Sequence, residues 1–282
     1  MKLKQILTAA LTLTLLVSLG GMAWQKYQLK QAEEAQNLSV ELSTPPPMEE
    51  IVEEIPEKKE KQEEVVEEPP IEEEPSNPNM DTEDAYADEL KLAKDLTSLK
   101  EANEDVIGWI QLPNTTLDYP LLQGEDNQHY LSHGWDGQWS YSGSIYLDYR
   151  SNVDLSDFHS IIYGHRMYNN TMMDALGGYS EQSFWEENPS VYILEDNAVR
   201  RYDVFAAYRT DVRETHSYRL GLEDDAGQQA YINYCLKNSQ LETGIVPQLG
   251  DRILTLSTCT PQNEINYRWV VHCVLRYEYL FE

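Results

Sequence analysis

Of the three cysteines in the chain, Cys235, Cys259 and Cys273, Cys259 stands where a thiol can act on a substrate. It closes an apolar run, Ile253-Leu254-Thr255-Leu256-Ser257-Thr258, and is followed at once by the polar Thr260-Pro261-Gln262-Asn263. That pattern places it at the end of a β-strand, on a rim open to a ligand. Cys235, in the helical stretch Tyr231–Leu236, and Cys273, within an apolar strand, read as small buried hydrophobes. An unassisted thiol, with a pKa of about 8.5, is only slightly ionised near neutrality, so a nucleophilic cysteine needs a partner. His165 is one candidate, in the turn Gly164-His165-Arg166 just past Ile161-Ile162-Tyr163. Arg268 is another, opening the strand that follows the Cys259 loop; a chain returning antiparallel brings its guanidinium beside the thiol, where it can hold a developing oxyanion. Each residue alone also reads as an ordinary buried thiol, turn histidine or solvated charge. Together they supply a nucleophile, a proton carrier and an oxyanion stabiliser.

Eight short strands must position these groups. They are centred on Val106–Ile110, Leu117–Leu121, Ser144–Leu147, Ser160–Tyr163, Ser190–Leu194, Tyr202–Tyr208, Arg252–Leu256 and Arg268–Leu275. A closed barrel satisfies so many short strands better than an open sheet with exposed edges. Helical spacing runs from Asp84 to Leu99, and two helices are inserted later, a short one near Thr171–Leu176 and a longer one over Asp224–Asn238.

The chain of 282 residues carries a net charge of −28, which argues against a broad nucleic-acid surface. Residues 49–90 hold 18 acids and three bases. Lys2 and Lys4 precede an uncharged, largely apolar stretch from Gln5 to Gln25, long enough for a membrane-crossing helix. Residues 1–25 therefore read as an uncleaved signal anchor with the rest of the chain outside, a cleaved signal peptide being the competing reading. Residues 26–80, rich in Glu and Pro, read as a disordered acidic tether able to reach more than roughly 100 Å at about 3 Å per residue. Residues 81–282 are the expected catalytic domain.

The motifs resemble those of a known family. Leu256-Ser257-Thr258-Cys259, with Tyr267-Arg268-Trp269-Val270-Val271 after it, is similar to the active-site signature of sortases. Ile162-Tyr163-Gly164-His165, Asp105–Ile110 continuing to Leu117–Gln123, and Gly143–Asp148 resemble class B sortases in particular. The resemblance, over about residues 85–280, implies a mostly β, eight-stranded sortase-type barrel with N-terminal helices and an inserted helix. It also implies a membrane-tethered cysteine transpeptidase on the outside of a Gram-positive-type cell. By resemblance Cys259 attacks a sorting-signal peptide of a surface protein, usually after a Thr, and an amine acceptor of the cell wall, or a pilin lysine, resolves the thioacyl-enzyme. His165 would move protons and Arg268 would hold the oxyanion or the substrate backbone. Ser257, Asp118 and Tyr218 would line the peptide groove. Thr260 departs from relatives that carry an acid after the cysteine, so no carboxylate role is expected there. No cofactor is implied.

Other classes fit less well. Papain-like proteases place their cysteine ahead of the histidine, at a helix N-terminus, and L,D-transpeptidases carry His-Gly where Ser257-Thr258 stands. His129 and His133 have i, i+4 spacing but no H-E-x-x-H around them, so a zinc site is not expected. A non-catalytic barrel that binds wall or partner from a stalk is the alternative outside enzymes.

Overall fold

The computed structural model describes residues 2–43, 94–260, 264 and 266–280, with side chains from residue 21 onward. The elements are α1 (Lys2–Leu42), α2 (Thr97–Ala102), β1 (Val106–Gln111), β2 (Asp118–Leu122), β3 (Ile145–Leu147), β4 (His159–Tyr163), α3 (Gln182–Glu187), β5 (Ser190–Glu195), β6 (Ala198–Asp211), α4 (Asp225–Asn238), β7 (Ile253–Cys259) and β8 (Tyr267–Leu280). Short 3-10 turns cover His129–Leu131, Asp174–Ser180 and His216–Tyr218. The strands close into the expected barrel, in the order β1-β2-β3-β4-β7-β8-β6-β5. The β2–β3 and β4–β7 neighbours are parallel and all others antiparallel.

Alternation along β7 and β8 sorts the side chains. Leu254, Leu256, Trp269, Val271 and Cys273 face one large core with Ile110, Leu121, Ile162, Ile193 and Val204. Val270 and Val274 face the opposite way, toward Tyr231, Ile232 and Cys235 of α4. Each large side chain fully removed from water in this way contributes about 1.5–3 kcal/mol. Helix α4 starts where the sequence signals it, because the Asp224 carboxylate accepts from the Gly227 N–H at 2.8 Å. The short helix expected near Thr171 begins later, at Asp174, since Asn170 and Met172 sit at positive φ (60° and 58°), outside the helical region.

The N-terminal region departs from the composition-based boundaries. Residues 26–42, expected to open the tether, continue helix α1, and that helix packs on the barrel. The Trp135 indole N–H donates to Ala35 O at 2.9 Å, Gln36 Nε2 donates to Asp118 O at 2.5 Å, and Val40 and Leu42 join the cluster around Trp109 and Tyr130. The Asp95 N–H then donates to Ser43 O at 3.2 Å. Most of the expected tether, and of the helix expected from Asp84, lies outside the described residues. So do the side chains of residues 1–20, which carry most of the apolar run read as an anchor. Among the described residues no helix is long and apolar enough to cross a membrane.

Two buried histidines join β4, β7, β8 and α4. His159 Nδ1 donates to Arg219 O at 2.6 Å, while its Nε2 meets Thr255 Oγ1 at 2.7 Å and Tyr231 OH at 2.8 Å. His272 Nδ1 lies 2.8 Å from the same Thr255 hydroxyl. Burial pushes His159 down to about 4 and holds His272 well below the usual histidine value. The unfolded chain, with ordinary histidines near 6.5, therefore binds more protons at pH 5–6 than the folded one. The stability these neutral rings carry is complete above about pH 6.5 and is lost as the pH falls toward 4. Denaturant unfolding is expected to show a positive slope of stability with pH between 5 and 6, about 1.4 kcal/mol per pH unit for each proton taken up. A flat profile there would show that the two rings are not held neutral.

Candidate active site

The register of the sheet builds the site. Cys259 is the last residue of β7 and is the Cα partner of Arg268 on β8, so the antiparallel return expected from the sequence brings the guanidinium strand beside the thiol. On the other side β4 runs parallel to β7, pairing Tyr163 with Ser257. Two residues further along each strand stand His165 and Cys259. The crossing is fastened by the Gly164 N–H donating to Ser257 O at 3.3 Å and by Thr258 Oγ1 donating to Gly164 O at 2.9 Å.

Cys259 is half-buried and carries no disulfide. Pairing with the His165 side chain, helped by the Arg268 charge, lowers its thiol pKa against the opposing effect of burial. The same pairing raises His165; the Leu131 carbonyl raises it further, while burial and Arg268 oppose. The two shifts act in one direction, toward a thiolate beside an imidazolium. Cys235 differs: burial drives its thiol up to about 12, and Cys273, with no exposed surface, is pushed higher still. As expected from the sequence, Cys235 and Cys273 are buried, whereas Cys259 is only partly so.

His165 Nε2 lies 2.8 Å from Leu131 O. A carbonyl can only accept, so Nε2 keeps its proton and Nδ1 is the nitrogen free to exchange one with the thiol. This backbone partner has no sequence signature and was not anticipated. Its place is guarded by Gly143, at φ 57°, where an added Cβ would come within 2.5 Å of Tyr130 O and 2.8 Å of Leu131 O. Thr260 donates to Glu264 O at 2.8 Å and Tyr267 O at 3.1 Å, bracing the loop that links β7 to β8. The Glu264 carboxylate is held by Arg209 at 2.6 Å.

Of the expected groove residues, Tyr218 and Ser257 meet: their hydroxyls lie 3.0 Å apart beside the strand that ends in Cys259. Tyr218 stands next to Arg219, whose carbonyl His159 holds. Asp118 does not join them. Its carboxylate accepts from Trp109 Nε1 at 2.5 Å and Gln111 Nε2 at 3.2 Å, and its carbonyl from Gln36 of α1. It is a junction between β1, β2 and the N-terminal helix.

Among the described residues, two cavities adjoin Cys259. One, of about 460 Å³, is walled by Tyr141, Met167, Tyr168 and Arg268. The other, of about 290 Å³, is lined by Thr258, Trp269, Arg209 and Glu264.

A closed eight-stranded barrel with these groups at its rim is the architecture of sortases. The sortase domain model matches residues 110–276, more than half of the sequence, and the chain belongs to the sortase family. Within the family its similarity runs to proteins named sortase B. Sortase B of Staphylococcus aureus is 35% identical over 164 residues, an alignment spanning 57% of this chain and 66% of that relative. A solved structure described as a Staphylococcus aureus sortase B–substrate complex shares 32% identity, superposes with a TM-score of 0.60, and is matched over 64% of this chain and 84% of its own. One of sortase B complexed with triglycine matches with the same identity and TM-score, over 64% of this chain and 85% of its own.

Proposed function

We propose that this protein is a membrane-anchored cysteine transpeptidase of the class B type, which cuts the sorting signal of surface proteins and joins them to an amine of the cell wall. The observation that carries the reading is the strand register that sets Arg268 across from Cys259 and brings the end of β4, leading to His165, alongside β7. Cys259 Sγ adds to the scissile carbonyl, and the oxygen that gains charge is held by Arg268. His165 gives its proton to the leaving amine as the C–N bond breaks, and a thioester remains on Cys259. The acceptor amine attacks that thioester and passes a proton to His165; an amide forms and the thiol is restored. Two cavities meeting at one sulfur suit a reaction in which two peptides arrive in turn. The substrate and triglycine complexes of sortase B structures support a peptide donor and an amine-bearing acceptor. Tyr218 and Ser257 form part of the donor groove, and residues 1–25 the anchor that keeps the barrel outside the cell.

Incubation with a library of sorting-signal peptides is the test, with mass-spectrometric readout and an added oligoglycine amine. The expected result is cleavage at one motif and an amide product that grows with amine concentration. A lysine-bearing pilin peptide accepted in preference to the oligoglycine would point to polymerisation instead of wall anchoring. Absence of turnover across the library would favour a non-catalytic binding barrel.

A further inference from the structure

Behind the site lies a carboxylate that the reaction scheme does not use. Asp148, just past β3, has no exposed surface. Its Oδ1 accepts from Arg150 N at 3.0 Å and Arg150 Nε at 2.9 Å. Its Oδ2 accepts from Arg150 Nη2 at 2.8 Å, Asn127 Nδ2 at 3.0 Å and Tyr163 OH at 3.0 Å. A buried carboxylate with five donors is a costly feature, since each contact must offset part of a large desolvation penalty. Arg150, its cationic partner, is half exposed, and the arrangement keeps Asp148 ionised: four of its contacts together outweigh the burial that opposes them.

What the carboxylate joins gives the clue. Tyr163 is the last residue of β4, two before His165. Asn127 lies two residues before the turn His129–Leu131, and the Leu131 carbonyl holds His165 Nε2. Asn127 is fastened again by the Tyr149 N–H to its Oδ1 at 3.1 Å and by Tyr146 OH to its carbonyl at 3.2 Å. The imidazole and the carbonyl that orients it thus sit on two separate segments, and one buried group ties both.

We propose that Asp148 is a positioning residue for His165, setting the Leu131 carbonyl and the end of β4 at the separation that keeps Nε2 protonated and turns Nδ1 to Cys259. The inference rests on the reading of Cys259 and His165 as a working pair. Without the carboxylate the segment from Asn127 to Leu131 and the β4 end lose their common anchor. The ring then samples both tautomers and both edges, and its support of the thiolate weakens.

The isosteric Asp148→Asn variant tests this, because its amide cannot accept from Arg150, Asn127 and Tyr163 together. Three readouts apply to the folded protein. Peptide turnover is expected to fall about tenfold or more with KM within about twofold, as for a misplaced catalytic group. The pH midpoint for alkylation of Cys259 by a small neutral reagent is expected to rise toward the ordinary thiol value of about 8.5. The ¹⁵N signals of His165, Nε2-protonated in the wild type, are expected to show mixed tautomers. A folded Asp148→Asn protein with wild-type alkylation midpoint and wild-type His165 signals overturns the proposal. If Asp148→Asn does not fold, Tyr163→Phe, which removes one hydroxyl from the same carboxylate, decides by the same readouts with smaller shifts in the same direction. Lack of peptide turnover by the wild type would count against the transpeptidase reading alone, since the alkylation and ¹⁵N measurements need no peptide.

Discussion

Replacing Cys259 by alanine is expected to abolish peptide cleavage and amide formation, by on the order of 10⁴-fold or more, while leaving the barrel folded. In the proposed scheme this sulfur forms the thioester, and neither Cys235 nor Cys273 is placed to replace it. Cys235 lies on α4, under the outer face of the sheet, and Cys273 faces the barrel core. Stability should barely change, because Cys259 ends its strand half-buried and loses only one small atom. The mirror-image controls are Cys235→Ala and Cys273→Ala. These are expected to cost about 1 kcal/mol of stability through the small cavities they leave, and to keep wild-type turnover per folded molecule. Circular dichroism melting and active-site titration separate the two behaviours. Residual turnover of Cys259→Ala near the wild-type rate would remove the nucleophile from the proposal.

Arg268→Ala is expected to lower kcat by roughly 10²–10³-fold, the usual effect of losing a donor to a tetrahedral oxyanion. Arg268→Lys should restore little of this, because a point-charged ammonium lacks the planar fork that can serve an oxyanion and a backbone carbonyl together. The guanidinium also lowers the Cys259 pKa, so its loss reduces the thiolate population as well. The two effects separate by reagent. Alkylation of Cys259 forms no oxyanion and should fall only as far as the thiolate fraction does, whereas acylation by peptide should fall much further. Equal losses in both assays would reduce Arg268 to an electrostatic neighbour of the thiol.

That Cys259 and Arg268 stand side by side was readable in the sequence, and the reason is strand register. Cys259 and Arg268 flank a short loop between two apolar runs, so an antiparallel return makes them neighbours whatever the details. His165 follows a strand whose pairing to β7 is parallel, a longer-range relation that the motif Ile162-Tyr163-Gly164-His165 signalled only through family resemblance. Leu131 was invisible because its contribution is a backbone carbonyl, which every residue type owns. The sequence motif Gly143–Asp148 carries Asp148 but no sign of its part in the site, since only tertiary packing brings five donors onto its carboxylate. Asp118 went the other way. Family resemblance suggested a groove wall, while on β1 Trp109 has an indole N–H that donates to the Asp118 carboxylate.

The contact between Ser43 O and Asp95 N changes what the acidic stretch between them can do. A linker extends a domain's range only when its two ends are free to separate, and here the chain leaves and re-enters at one spot. With the proposed anchor in a bilayer, the height of the barrel above it would follow from helix α1, at about 1.5 Å per residue. From the end of the apolar run near residue 25 to the docking point at Ala35, that amounts to roughly 15 Å. If residues 1–25 anchor the chain as proposed, donors meet the barrel close to the lipid surface, and removing the acidic stretch is expected to leave that working distance unchanged.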